Sequence, residues 1–387
     1  MDLIPINPEQ EVLKRYGAAS QAREEALCCP VDYDPHYLKI IPQEIIDRDY
    51  GCGDPSQFVR PGEHVLDLGS GGGKICYIIS QIVGAQGSVT GVDFNPPMLE
   101  LAEKHRAAIS AKLGYDNMRF LRGKIQDLRT DIAAVEAWLQ ANPVRGYADY
   151  ERLETFRAEQ ARARPLIADQ SVDVIVSNCV LNLVAAQDKA ALFAEMFRVL
   201  KIGGRVAISD IVSDEPVPEP MQNDPDLWSG CISGAFQERE FLRAFEEAGF
   251  YGIAITKRDS APWRTIEGIE FRSVTVTAHK GKQGPCLERK QAVIYAGPWA
   301  KVEDDDGHVL ERGVPVAVCD KTYRLYNREP YGGQIIPVPP LVEIALEDAG
   351  QFDCMRSVLR HPKETKGEDY QLTTTAAAGV CGPDGCC

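Results

Sequence analysis

The sequence predicts an α/β fold: a seven-stranded parallel sheet with helices on both faces, preceded by a helical lobe and followed by a small β-rich domain. Three observations carry this. Strand-like and helix-like segments alternate from about residue 60 to 280, the pattern of parallel strands joined by crossover helices. The apolar run at Val65 ends in Asp67 and turns through Gly69, Gly71, Gly72 and Gly73 into a helix opening at Lys74. Beyond about residue 285 the runs shorten and are separated by Gly, Pro and Asp clusters.

In chain order, residues 9–27 carry a helical pattern (Val12, Leu13, Tyr16, Ala19) and lead to Cys28-Cys29-Pro30. Leu38, Ile41, Ile45 and Ile46 form an apolar stripe that predicts a second helix over 35–49, ending in the turn at 50–55. This lobe, 1–59, is expected to lie over the ligand site as a lid. The domain at 60–281 then reads as the first strand, helix 74–83, strand 88–94, helix 97–113 and strand 117–122. Strand 171–177, helix 187–200, strand 205–212, helix 237–248 and strands 251–258 and 271–279 complete it. Residues 129–168 interrupt the rhythm with polar helical stretches at 131–140 and 149–163, read as a solvated surface insertion without chemistry. Domain 282–372 contains the strand-like runs 292–295, 314–318 and 323–326, and 373–387 is a small-residue tail with Cys381, Cys386 and Cys387.

The chain has 387 residues, enough for two domains with cores, and a formal net charge of −15. That charge opposes phosphate backbones and anionic lipid, which argues against a nucleic-acid or membrane partner. The opening Met-Asp-Leu-Ile-Pro-Ile-Asn-Pro lacks a basic, apolar leader pattern, so a cytoplasmic location is expected. Twelve cysteines in such a compartment read as ligands, redox pairs or catalytic thiols rather than a disulfide framework.

The glycine turn alone serves several nucleotide-like cofactors. Asp67, placed just before it, faces the crevice of an open α/β sheet and suits a cationic ligand better than a pyrophosphate. A second acid, Asp93, ends the next strand about 20 residues past the turn, where a carboxylate bonds ribose hydroxyls. These segments resemble the S-adenosylmethionine-dependent class I methyltransferases, whose sheet is Rossmann-like; a nucleotide-binding dehydrogenase is the competing reading. The resemblance implies that S-adenosylmethionine is bound by Asp67, Gly69, Ser70, Gly71, Asp93, Phe94, Ile125, Gln126 and Asn178, with the 123–128 loop at the adenine.

Cys52, Cys179 and Cys231 each sit in a Gly- or Asn-containing loop, two of them next to strand ends, where three thiolates suit a thiophilic centre. A single cysteine more often packs as a small hydrophobe, the reading given to Cys76. Cys286, Cys319 and Cys354 are left structural or unassigned, His361 is read as part of a polar loop, and no spacing supports zinc.

Tyr50-Gly51-Cys52-Gly53, Ser177-Asn178-Cys179-Val180-Leu181-Asn182-Leu183 and Ser229-Gly230-Cys231, around that cofactor turn, resemble the arsenite methyltransferase family over about residues 10–280. The resemblance implies trivalent arsenic held by Cys52, Cys179 and Cys231. It also implies a redox partner for Cys52 in the Cys28/Cys29 pair, and regeneration by thioredoxin or glutathione. Arsenite or its thiol conjugates would be the substrate and the protein a monomer. Two alternatives stand beside it: a methyltransferase for a small organic acceptor of quinone or sterol type, and a non-catalytic metalloid-binding thiol protein.

Overall fold

The computed structural model describes residues 7–27, 31–355 and 358–372, so Cys28, Cys29 and the tail at 373–387 lie outside the described residues. Its contacts divide the chain into two units, Met1–Gly281 and Lys282–Cys387.

The first unit opens with α1 (Pro8–Ala19), which starts under an Asn7 cap with proline in its first turn. It stops at Ala19, short of the helical stretch read to 27, and a single 3₁₀ turn (Glu25–Leu27) follows. The helix expected over 35–49 is two pieces, α2 (Pro35–Leu38) and α3 (Gln43–Asp47), with Pro42 at the break. Proline lacks the amide and restricts the residue before it, so the apolar stripe continues across a kink.

The sheet then begins with β1 (His64–Leu68), α4 (Lys74–Val83), β2 (Ser88–Asp93), α5 (Pro96–Leu113) and β3 (Met118–Arg122). After it come α6 (Ile132–Ala141) and α7 (Tyr147–Ala163), two solvated helices without a buried residue, joined by the Trp138–Phe156 ring stack at 5.3 Å. Next are β4 (Val172–Asn178), α8 (Lys189–Val199), β5 (Leu200–Ser213), α9 (Glu219–Gln222), α10 (Pro225–Ser229), β6 (Phe236–Gln237) and α11 (Glu238–Glu247). The strands β7 (Tyr251–Arg258), β8 (Arg264–Ile266) and β9 (Ile269–His279) close the unit.

Strand order is β3-β2-β1-β4-β5-β9-β7, a main path of seven strands, to which the short β6 and β8 add at β5 and β9. This is the class I methyltransferase arrangement. It is not parallel throughout: β9 runs antiparallel to both β5 and β7. The link from β7 to β9 is too short for a crossover helix, and such a link forces an antiparallel return.

Side-chain alternation along the strands builds a core on each face. Val65, Val174, Val176 and Ala207 point toward α4 and α5, while Leu66, Ile175, Val206 and Ile208 point toward α8 and α11. On the second face Phe193, Phe241, Phe245 and Phe250 meet edge to face, with Phe193 and Phe245 centroids 4.8 Å apart. Among the described residues no helix is long and apolar enough to cross a membrane.

The second unit is β-rich. Its three-stranded sheet pairs β10 (Ala292–Tyr295) with β11 (Pro315–Ala317) and β12 (Ile335–Val338) over a core of Val293, Tyr295, Val316 and Tyr326. The run at 323–326, expected as a strand, is instead the end of the helix Asp320–Tyr326, where the Cys319 side chain caps Thr322 N–H. His361 caps a further short helix, Pro362–Lys366.

Phe245→Ala removes the centre of the aromatic cluster and is expected to cost about 3–5 kcal/mol of unfolding free energy in a urea titration.

Candidate functional site

Strand order reverses direction at β1, so the crevice for a ligand opens at the carboxyl ends of β1 and β4. Gly69 adopts φ +72°, and a Cβ there would come within 2.3 Å of Val180 Cγ1. Only glycine therefore lets the turn after β1 touch the loop after β4. The turn is tied to β2 by Gly69 N–H and Ser70 N–H donating to Val92 O at 2.8 and 3.1 Å. Gly71 N–H also donates to Asp93 Oδ2 at 2.9 Å.

All nine residues named for the cofactor line one pocket: Asp67, Gly69, Ser70, Gly71, Asp93, Phe94, Ile125, Gln126 and Asn178. Glu9, Val12 and Tyr16 of α1 form part of its wall, together with Asp49, Tyr50 and Cys179. Burial pushes the Asp67 carboxyl up to about 7; the Cys76 thiol, which donates to Oδ2 at 3.2 Å, offsets this, and the charges of Asp93 and Asp49 add to it. Burial also raises Asp93, against N–H donors from Asn95, Gly71 and Phe94. The nearby cation, Lys74, is taken up by Asp49 at 2.8 Å and lies 3.7 Å from the centre of the Tyr33 ring. Among the described residues no salt bridge reaches Asp67 or Asp93. Ser70 Oγ and Asn95 Oδ1 are buried without a hydrogen-bond partner among those residues. A site with two buried acids in no salt bridge among the described residues, and two orphaned polar atoms, suits a ligand that carries a cation and hydroxyls.

The thiols converge beside this pocket. Asn178, the last residue of β4, accepts at Oδ1 from Cys52 N–H at 2.8 Å and Gly53 N–H at 3.0 Å, and donates to Gly53 O at 2.7 Å. A Cβ on Gly51 would lie 2.1 Å from Asn178 Nδ2, so this clamp requires glycine there. Cys179 and Cys231 hold φ of +63° and +60°, a left-handed conformation that side chains adopt at a cost. Cys179 N–H donates to Ser209 O at 2.8 Å, which anchors the strained residue to β5.

Cys52 Sγ, Cys179 Sγ and an Asp210 carboxylate oxygen lie within 4.8 Å of one another. Cys231 is adjacent but outside that set: its thiol donates to Cys179 O at 3.2 Å and meets the Tyr16 hydroxyl at 3.6 Å. The surroundings are apolar, with Ile211, Val217, Met221, Ile232 and Phe271 buried against the three cysteines. Cys286 and Cys354 belong to the second unit, half-buried and exposed respectively.

Sequence reasoning missed three groups. Asp210 is an acid inside the mostly apolar stretch 206–212 of β5, which was the available signal; burial pushes it up to about 6, opposed by Ile211 N–H and Leu181 N–H. Tyr16 was read only as a helix-face apolar residue. Cys76, read as plain core, is buried and donates to Asp67.

Residues 60–138 and 146–249 match the family model described as a methyltransferase domain, and 282–370 match one described as a domain of unknown function (DUF8838). The arsenite methyltransferase of Aquipseudomonas alcaligenes is 32% identical over 337 residues, covering 82% of this chain and 86% of that protein. The arsenite methyltransferase of Homo sapiens is 29% identical over 374 residues, covering 90% and 88%. The crystal structure of CrArsM, an arsenic(III) S-adenosylmethionine methyltransferase from Chlamydomonas reinhardtii, superposes with a TM-score of 0.53 at 27% identity, covering 86% of this chain and all of that one.

Asn178→Ala removes the clamp on the 52–53 loop. Alkylation of Cys52, followed by peptide mass spectrometry, is expected to quicken by about tenfold, the equivalent of roughly one lost hydrogen bond, while Cys286 is unaffected.

Proposed function

The chain belongs to the arsenite methyltransferase family, and on that premise we propose that it methylates trivalent arsenic held as thiolates by Cys52, Cys179 and Cys231. S-adenosylmethionine is the cofactor. The pocket residues fit it: Asp67 for the amino-acid ammonium, Asp93 for the ribose hydroxyls, and Ser70 Oγ and Asn95 Oδ1 for remaining polar contacts. When bound, the cofactor supplies a sulfonium methyl to the lone pair of trivalent arsenic.

The observation that carries this reading is the position of Cys179, which lines the cofactor pocket and belongs to the close Cys52–Cys179–Asp210 set. An atom held there faces the cofactor without leaving the thiols. Three sulfur ligands leave arsenic pyramidal with its lone pair outward, so the protein needs no general base. Its contribution is positioning, which can supply about 7–11 kcal/mol, and the apolar wall of Ile211, Val217, Met221 and Phe271 excludes water. Cys231 joins by rotation of its side chain away from the Cys179 carbonyl.

Methyl transfer raises arsenic formally from the trivalent to the pentavalent state. A third sulfur restores it: the thiol of one of Cys28 and Cys29 loses its proton and attacks Cys52 Sγ, the disulfide forms as the Cys52–arsenic bond breaks, and that bond pair returns to arsenic, which is trivalent again. Thioredoxin or glutathione then reduces the disulfide, which fits the cytoplasmic location expected from the sequence.

Purified protein given arsenite, S-adenosylmethionine and a thiol reductant is expected to form methylarsenicals, detected by chromatography with elemental detection. Cys179→Ser and Cys231→Ser should each reduce the rate at least about a hundredfold, the scale of removing one positioning contact. Cofactor binding without any methylarsenical from the unmodified protein would overturn the substrate.

Affinity for S-adenosylhomocysteine, which carries the same ammonium, should depend on pH. In the ligand-free protein Asp67 keeps its proton up to about pH 7, and the ammonium favours the ionised carboxylate. Affinity is therefore full above that pH and falls by up to about tenfold per unit below it. Calorimetry on Asp67→Asn should show weaker binding in which this dependence is lost.

A further inference from the structure

α1 touches both halves of the site. Glu9, Val12 and Tyr16, spaced along one helix face, wall the cofactor pocket. At one end Glu9 accepts from Lys124 Nζ at 2.7 Å and Gln126 Nε2 at 3.2 Å, on the loop that follows β3. Toward the other, Arg15 donates to Asp226 O at 2.8 Å and Ser229 Oγ at 3.0 Å, at the start of the loop that carries Cys231. Next to Arg15, the Tyr16 hydroxyl meets Cys231 Sγ at 3.6 Å. Removal from water, and then the neighbouring Cys231 and Cys179, hold this phenol well above its ordinary pKa, so it remains a hydrogen-bond donor at neutral pH.

We propose that Tyr16 is a positioning residue that couples cofactor loading to the orientation of the Cys231 sulfur. Glu9, Val12 and Tyr16 form part of the pocket wall, so a bound cofactor touches α1 only in its docked position, and an undocked α1 also withdraws the hydroxyl from Cys231. A bound cofactor favours the docked helix by mass action. With α1 docked, the hydroxyl lies against the sulfur, while the Cys179 carbonyl, accepting from the Cys231 thiol, holds the side chain one rotation from the Cys52–Cys179–Asp210 set. The third arsenic ligand is thus prepared chiefly when the methyl donor is in place. Linkage makes the effect reciprocal: the cofactor tightens arsenite binding by the same factor by which arsenite tightens cofactor binding.

The inference rests on the reading of the pocket and thiols as an arsenic methylation site, and two titrations separate the two. The first measures the arsenite dissociation constant of the reduced protein with and without saturating S-adenosylhomocysteine. The unmodified protein should bind arsenite about fivefold or more tightly when loaded, and Tyr16→Phe, whatever its affinity for each ligand alone, should show a ratio near one. A Tyr16→Phe protein that keeps the full ratio overturns the coupling alone; an unmodified protein that binds neither ligand overturns the underlying reading as well. The second needs no variant. S-adenosylhomocysteine should slow alkylation of Cys231 about fivefold in the arsenite-free protein and leave Cys354 of the second unit unchanged. Equal Cys231 rates with and without it would overturn the proposal.

Discussion

The end of β4 is held between two loops that reach it only because they carry glycine. Gly69 admits Val180 against the turn after β1, and Gly51 admits the Asn178 amide against the loop of Cys52. A side chain at either position would overlap its neighbour, so the cofactor turn, the Cys52 loop and Cys179 would separate. Asn178 completes the arrangement by pairing with the backbone of Cys52 and Gly53. Its neighbour Cys179 takes a positive φ at a cost that the surrounding hydrogen bonds sustain. Two sites for different chemical partners are thereby placed within reach of each other on a sheet that cannot shift by a residue without turning every side chain over.

Electrostatics divides the labour between these sites. The pocket holds Asp67 and Asp93, neither in a salt bridge among the described residues, while Lys74 is committed to Asp49, so it offers two carboxyls whose ionised form a cationic cofactor favours. The thiol site is lined by apolar side chains, with the Asp210 carboxyl close to Cys52 and Cys179, and on the proposed reading it draws its selectivity from sulfur rather than charge. On the proposed reading, a soft substrate and a charged cofactor are recognised by different means, with Cys179 common to both sites.

Much of the sheet was legible because its strands are largely apolar runs, and the lining of one shared pocket because acid, glycine turn and second acid fall at regular intervals along consecutive strands. What escaped depends on contacts between elements distant in sequence. Pro42 split a helix whose apolar stripe runs on unbroken, and the segment at 323–326 alternates like a strand but is drawn into a helix begun under the Cys319 cap. The antiparallel β9 follows from the length of a connection rather than from its strand composition. Tyr16 meets Cys231 across 215 positions of chain, and Asp210 reaches the thiols only once β5 lies beside β4. No periodicity reports such pairs.

The central claim is that arsenic occupies a site made of the sulfurs of Cys52, Cys179 and Cys231. X-ray absorption at the arsenic edge tests it most directly, on reduced protein loaded with arsenite and S-adenosylhomocysteine, beside the Cys231→Ser variant. The account predicts three sulfur neighbours around arsenic, falling to two plus an oxygen in the variant. Two sulfurs in the unmodified protein, or a first shell that Cys231→Ser leaves unchanged, would contradict it.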